Sequence, residues 1–477
     1  MTSKAIKFLH IVFLWMIWVI IFSVSFARKI WGEIDLAQLL FFMQTDLDGV
    51  DRHLLFKGIL HCFLLPFIAV LVMYGLMWLM LKLNKWIAYF SMFFIDLFLV
   101  LGALICSEKC FSSNLSFEKI NFYEEKYVDI GDVQQSQSRN LIIVFAESLE
   151  KQMVSDVNTE FDKDAVKFDD LAEGYAQRWT QGALFSAFTG VHIHYLSEYL
   201  RYALYDKVKW GSFNPEMDIV ASHKVGQNFD FNMPNIRVLS DITKEHGYQN
   251  LFVQGGGIKF SGTDRFLKSH GFDKHNVYGL LAFSDNKDFE YGKGWWGVDD
   301  ASMFRLFKEK ISQLDENKPF FAVAFTLDLH YGKNPYFENE DEVILATINN
   351  LDDFIRWYKE QDFYENTTLV IVGDHKRMGE NAKHGGDIYN AFFNLPDNLK
   401  ENLNIHRKFN QIDMFPTLLE IMGFVVPLHK AGMGTSLFSD EKTLAEEYSY
   451  DEQAKIFGKL DPFYHKLWSS ENIFNNK

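Results

Sequence analysis

The chain has 477 residues, a formal net charge of −16 and a pI of about 5.4. That length exceeds one ordinary domain, and the acidic balance excludes the basic face on which nucleic-acid binding depends. The cysteines are Cys62, Cys106 and Cys110, so everything beyond Cys110 builds its core without disulfides, and a Cys106–Cys110 bond would staple only a short turn.

Apolar residues crowd the first hundred positions. Three segments, about 6–27, 58–81 and 86–106, are long and apolar enough to span a bilayer, giving a transmembrane anchor over 1–106. The first has no charge between Lys7 and Arg28. Its long core, with two further spans behind it, reads as an anchor rather than a cleaved signal peptide. Lys4 and Lys7 precede the first span, and Lys82 and Lys85 fill the link between the second and third. The positive-inside rule puts these on the cytoplasmic side and the chain after Ser107 outside, on the periplasmic face of a bacterial inner membrane. Asp96 lies within the third span, where a charge is costly. A helix–helix contact is the plainer expectation, and a lipid-headgroup contact the sharper one.

Residues 107–139 are polar and read as a connector. From Asn140, short β-branched or aromatic runs alternate with helical stretches. The strand candidates are Leu141–Ala146, Gln249–Gln254, Phe320–Leu327, Leu369–Val372 and Asn390–Asn394, and the helix candidates are Asn235–His246, Ser302–Leu314 and Glu342–Gln361. This alternation predicts an α/β domain over 140–440 with a mainly parallel sheet flanked by helices, followed by a C-terminal extension over 441–477. Sites in such sheets gather at the carboxyl ends of strands.

Glu147 directly follows an apolar run, where alone it would cap a helix. Asp374–His375 after Leu-Val-Ile-Val-Gly373 is more specific, because Gly373 lets the backbone turn and two polar ligands then enter a cleft. Thr180 opens a predicted helix in Trp179-Thr180-Gln181-Gly182. Its hydroxyl is a weak nucleophile that a cation would activate. Together Glu147, Thr180, Asp374 and His375 supply the donors for one divalent cation. His330, just past a strand, and His384, between Lys383 and Gly385, are candidates to bind a phosphate or protonate a leaving alkoxide. For His192, His194, His246 and His429 a surface or loop histidine is the plainer expectation, and they are set aside.

These segments, in this order, resemble the alkaline phosphatase–sulfatase superfamily and, within it, the membrane-anchored branch of lipoteichoic acid synthases and phosphoglycerol transferases. The likeness extends through Gly247-Tyr-Gln-Asn-Leu-Phe-Val-Gln-Gly255, Phe260 to Phe272, Trp296-Gly297-Val-Asp299-Asp300 and Phe325-Thr326-Leu-Asp328-Leu-His330. The resemblance implies a sulfatase-like fold with Thr180 as nucleophile. Glu147, Asp374 and His375 would join it around one metal, Mn2+ foremost, with Mg2+ or Zn2+ tolerated by the same ligands. It gives His330 and His384 the phosphate-holding or general-acid role, and Trp296 and Arg265 the headgroup pocket. The implied reaction is ping-pong. Phosphatidylglycerol donates a glycerophosphoryl group to Thr180, and a glycan such as a periplasmic glucan accepts it.

The chain also departs from the family. Ser261-Gly262-Thr263 replaces the aromatic–Asn–Arg of lipoteichoic acid synthases, Gly190-Val-His192 replaces Gly-Ile-Pro, and three spans replace five. The competing expectations are a phosphoethanolamine transferase acting on lipopolysaccharide, a sulfatase-type hydrolase, and a catalytically silent glycan-binding membrane protein. The cysteine-free outer part opposes the first, the lack of a Cys/Ser-x-Pro-x-Arg setting near Thr180 the second, and the intact Glu, Thr, Asp and His set the third.

Overall fold

A computed structural model describes residues 3–32, 52–110, 118–157, 161–193, 231, 233–283, 296–331, 334–378, 386–459 and 461–468. The chain forms two compact units, one of N-terminal helices and one whose main body begins at Asn114.

In the first unit, α1 covers Ser3–Trp31. α2 joins Arg52–Ile59 to Leu65–Leu83 through a π-helical turn at Leu60–Leu64, and α3 covers Lys85–Cys110. Asn84 separates α2 from α3: its backbone is extended, and its Oδ1 accepts the N–H of Trp86 at 2.9 Å, capping the new helix. Among the described residues, Phe8–Trp31 and Leu54–Leu83 are long and apolar enough to cross a membrane, and α3 carries a shorter apolar stretch, Phe90–Ala103. Asp96 meets a neighbouring helix, with Oδ2 3.0 Å from Nε2 of His10, whose Nδ1 is 2.6 Å from the Tyr74 hydroxyl. One polar cluster thus ties the three helices together, since an unsatisfied polar group costs most in hydrocarbon.

The second unit is built on a six-stranded sheet. Its strands are β1 (Asn140–Ala146), β2 (Gln249–Gln254), β3 (Val277–Tyr278), β4 (Phe320–Phe325), β5 (Thr367–Gly373) and β6 (Asn390–Phe393). They lie in the order β3-β2-β4-β1-β5-β6, all parallel except β6, which runs antiparallel to β5. Every residue of β1, β4 and β5 is buried, which is why they read as continuous apolar runs.

Five helices matter for the site: α4 (Thr180–Thr189), α5 (Thr263–Ser269), α6 (Asp300–Ser312), α7 (Glu340–Lys359) and α8 (Gln411–Ile421). The alternation of β1 distributes them over both faces. Ile142, Val144 and Ala146 join Phe304, Phe307 and Phe354 of α6 and α7 in one core. On the other face Phe145 meets Phe188 of α4, at 6.3 Å between ring centroids. Asp299 and Asn339 cap α6 and α7 by accepting N–H groups from Ser302 and Glu342.

The five predicted strands and the parallel sheet are present, with differences. β3 has only two residues and so no readable period. The run expected to reach Leu327 stops at Phe325, because Leu327 turns its N–H from the sheet to the Asp300 carboxylate. The helix expected over Asn235–His246 is shorter, Leu239–Glu245. Residues from 118 onward lie against the domain: Val128 pairs with Gly432, and Tyr123 is buried. Among the described residues, three short helices follow residue 443: Leu444–Glu447, Tyr450–Phe457 and Pro462–Leu467.

Candidate functional site

Glu147 and Asp374 emerge side by side because their strands are neighbours in register. β1 pairs with β5 up to Ala146 opposite Gly373, and each chain then turns into the same cleft. Gly373 itself lies in the strand, so it does not make the turn expected of it. What it supplies is room, since a Cβ there would stand 2.4 Å from the Leu149 carbonyl oxygen. One donor atom each from Glu147, Asp374 and His375 lies within 4.8 Å of the others, and all three residues are buried. Thr180, the first residue of α4, adds its hydroxyl, with Oγ1 3.3 Å from Glu147 Oε2 and 3.5 Å from His375 Nε2. The four residues read from the sequence as one donor set therefore do converge.

The surroundings orient these donors. The Nδ1–H of His375 donates to the Lys376 carbonyl at 2.8 Å, which turns a bare Nε2 toward the carboxylates. Nε2 is then 3.3 Å from Asp374 Oδ2 and 3.6 Å from Glu147 Oε1. Asp374 Oδ2 is buried with no hydrogen-bond partner. Burial, and after it the charge of Glu147, lifts Asp374 to about 6. Burial alone would lower His375, but Asp374 and Glu147 outweigh it and hold the imidazole above its ordinary value. An orphaned carboxylate oxygen beside a second carboxylate, a hydroxyl and an imidazole nitrogen, in a field that favours positive charge, fits a divalent cation with mixed oxygen and nitrogen ligands.

Three supporting residues escaped the sequence reasoning. Thr326 accepts the Glu147 N–H at 2.9 Å. Gln411, opening α8, donates from Nε2 to the carbonyls of Gly373 and Asp374 at 2.9 and 3.1 Å. Ser148 donates to both carboxylates. Ser148 carried a local signal, its place directly after Glu147, and Thr326 stood in a family-like segment without a role.

Beside the cluster, the rings of His330 and Trp296 pack at a tilt of 49° with centroids 4.3 Å apart, and Trp296 Nε1 donates to the Tyr331 carbonyl. The charges of His375 and Asp374 reach His330, but burial dominates and lowers it to about 4. Behind this wall Asp300 and Asp328 are linked through each other's backbone: Asp300 Oδ1 accepts the Leu327 N–H at 2.6 Å, and Asp328 Oδ2 accepts the Asp300 N–H at 3.1 Å. Burial raises both carboxyls. The two segments singled out in the sequence are thus one rigid pair of loops. Arg265, on α5, lies over Gly262, where a Cβ would stand 3.0 Å from its guanidinium. At the start of the same helix, Thr263 donates to Gln181, the neighbour of Thr180. His384 and His194 lie outside the described residues.

Of the histidines set aside as surface or loop residues, His429 is exposed, but His192 is buried and departs from that expectation because aromatic rings close over it. His246 bonds the Ile242 carbonyl, and His429 pairs with Glu420. His192 is enclosed by the rings of Tyr123, Tyr175, Phe457 and Tyr464 and meets the Tyr123 hydroxyl. Burial lowers it from 6.5 to about 3. The folded chain therefore keeps His192 neutral where the unfolded chain takes up a proton, so stability present above pH 6.5 is lost as pH falls toward 3. At about pH 5.5 the loss is about 1.4 kcal/mol. Thermal melts at about pH 7.5 and about pH 5.5 are expected to show His192→Phe losing less stability than wild type on acidification. Equal losses would show that the cage does not depress this histidine.

Residues 139–424 match the sulfatase family. Phosphoglycerol transferase I of Citrobacter koseri is 29% identical over 253 residues, covering 48% of this chain and 32% of that protein. The chain thus matches about a third of the length of such relatives. Among solved structures, a protein of the alkaline phosphatase superfamily from Vibrio parahaemolyticus is similar at 20% identity and a TM-score of 0.46, over 66% of this chain and 72% of that one. The lipoteichoic acid synthase LtaP of Listeria monocytogenes is similar at 15% identity and a TM-score of 0.41, over 63% and 75%. The family match runs from the residue before β1 to beyond α8, taking in Glu147, Thr180, Asp374 and His375 and more than half of the sequence, and the chain belongs to the sulfatase family.

Proposed function

We propose that this chain is a membrane-bound phosphotransferase of the bacterial inner membrane with its catalytic domain on the periplasmic face. It moves a glycerophosphoryl group from phosphatidylglycerol to a glycan through an ester on Thr180. The observation that carries this is the convergence of the Thr180 hydroxyl with two buried carboxylates and an imidazole nitrogen at the carboxyl edge of the sheet. The name of the Citrobacter relative supports glycerophosphoryl as the group moved.

Glu147, Thr180, Asp374 and His375 would hold one divalent ion, Mn2+ foremost, with Mg2+ and Zn2+ compatible with the same donors. Such an ion supplies positive charge that lowers the pKa of a neighbouring hydroxyl and offsets the charge of a phosphodiester. Thr180 directs its hydrogen at Glu147 Oε2, leaving its lone pairs for the phosphorus. The new bond joins Thr180 Oγ1 to phosphorus as its proton is given up toward Glu147 Oε2, the bond to the diacylglycerol oxygen breaks, and that oxygen takes up one proton from the solvent at the cleft, so that diacylglycerol leaves as the alcohol and the proton count is unchanged. The first turn of α4 has no side-chain cap, so its N–H groups suit the phosphate oxygens.

His330 is neutral, and its Nδ1 faces the Tyr331 carbonyl. Its Nε2 is then an acceptor, which suits a base better than the general acid expected from the sequence. It would hold a glycerol hydroxyl, or take the proton of the glycan hydroxyl that displaces Thr180 in the second step. The Trp296 ring would line the glycerol, and Arg265 and His384 remain proposed for the phosphate and headgroup.

Intact-protein mass spectrometry of the full chain with Mn2+ tests this against two lipids. Phosphatidylglycerol is expected to leave a glycerophosphoryl adduct on Thr180, and phosphatidylethanolamine none. A phosphoethanolamine adduct alone would overturn the donor, and an adduct at another residue would overturn the nucleophile.

A further inference from the structure

Ser148 touches both carboxylates of the cluster. Its hydroxyl donates to Glu147 Oε1 at 2.6 Å, and its N–H donates to Asp374 Oδ1 at 2.9 Å. The residue is 2% exposed, so water does not compete for these bonds. Asp374 Oδ1 also takes the His375 N–H at 2.9 Å, which makes Oδ2 the unpartnered oxygen. On Glu147, the oxygen that Ser148 leaves open is Oε2, which faces Thr180. Ser148 achieves this from a left-handed backbone with φ 50°, a conformation that costs a serine and suits a glycine. A serine here is strained for folding, and what it adds over glycine is a hydroxyl directed at a carboxylate.

We propose that Ser148 is a positioning residue that sets how the carboxylates meet the cation. By engaging one oxygen of each, it would leave a single unengaged oxygen on Glu147 and on Asp374 for the ion, and so favour small divalent cations over Ca2+. Ca2+ takes about six to eight oxygens and is well served by bidentate carboxylates. With one oxygen from each carboxylate, one imidazole and one hydroxyl, the site suits Mn2+, Mg2+ or Zn2+. The inference rests on the assignment of Glu147, Thr180, Asp374 and His375 as a cation site, and it adds what holds their selectivity.

The test is calorimetric titration of the full chain in detergent, stripped with chelator, with Mn2+ and separately with Ca2+. Ser148→Gly keeps the backbone and the N–H contact and removes only the hydroxyl. It is expected to fold with an unchanged or higher metal-free melting temperature, to bind Mn2+ at least about tenfold more weakly, and to bind Ca2+ no more weakly than wild type. The narrowed Mn2+/Ca2+ ratio is a readout that a merely structural role would not move. Retention of Mn2+ affinity within about twofold, or equal weakening of both cations, would overturn the inference while leaving the site assignment standing. Wild type that binds no Mn2+ would instead remove the site assignment and the inference with it. Ser148→Ala carries the same readout should the glycine variant fail to fold.

Discussion

Thr180→Ala is expected to lower release of diacylglycerol from phosphatidylglycerol by at least about a thousandfold. The effect is large because a nucleophile cannot be partly replaced: without Oγ1 there is no atom to form the ester. The variant should nevertheless fold. Thr180 is half-buried, its hydroxyl does not cap α4, and the N-cap position belongs to Trp179, so the helix loses little. Thr180→Ser restores a hydroxyl at the same atom and is expected to recover part of the rate. The measurement is diacylglycerol release by the full chain in detergent, with the thermal melt as control for folding. An alanine variant that keeps a tenth or more of the activity at an unchanged melt would show that the attacking oxygen comes from elsewhere, water included.

Thr180 was legible only as a hydroxyl opening a helix, whereas both carboxylates and the imidazole of the donor set follow directly from buried parallel strands. Leu141–Ala146 and Leu369–Val372 read as strands because both faces are covered, so their apolar runs are continuous and polar residues stand out where they end. That singled out Glu147 and Asp374–His375. Their convergence depends on the pairing of β1 with β5, which no local pattern encodes. Ser148 and Gln411 were missed for a related reason. A serine after a strand and a glutamine opening a helix are ordinary, and their roles appear only when the partner carboxylate or carbonyl arrives from another element. Asp300 and Asp328 stood in the family-like segments without a role, because the backbone bonds that link them join positions 28 residues apart. The direction of β6 was equally hidden, since Asn390–Phe393 reads the same whether parallel or antiparallel. His330 was legible by position, but its ionisation was not: the burial that sets it near 4 is a property of the packed loops.

Asp374→Asn separates the two things the carboxylate cluster does. In the metal-free protein, Asp374 and Glu147 are buried like charges whose donor atoms lie within 4.8 Å, and Asp374 is lifted to about 6 by burial and then by Glu147. This arrangement opposes folding whenever the positive charge is missing. Asparagine keeps the shape and an oxygen that can accept the Ser148 and His375 N–H groups at Oδ1, while removing one of the two negative charges. The metal-free variant is therefore expected to be more stable than metal-free wild type, by about 1–3 kcal/mol near neutral pH. The neutral amide is a far poorer partner for a hard cation, so Mn2+ affinity is expected to fall at least about a hundredfold and transfer to fall with it. Melts with and without Mn2+ read both effects. Wild type should gain strongly from the ion, and the variant should start higher and gain little. A variant less stable than wild type without metal would show that the Asp374 charge serves the fold itself. A variant that still gains fully from Mn2+ would place the cation away from Asp374.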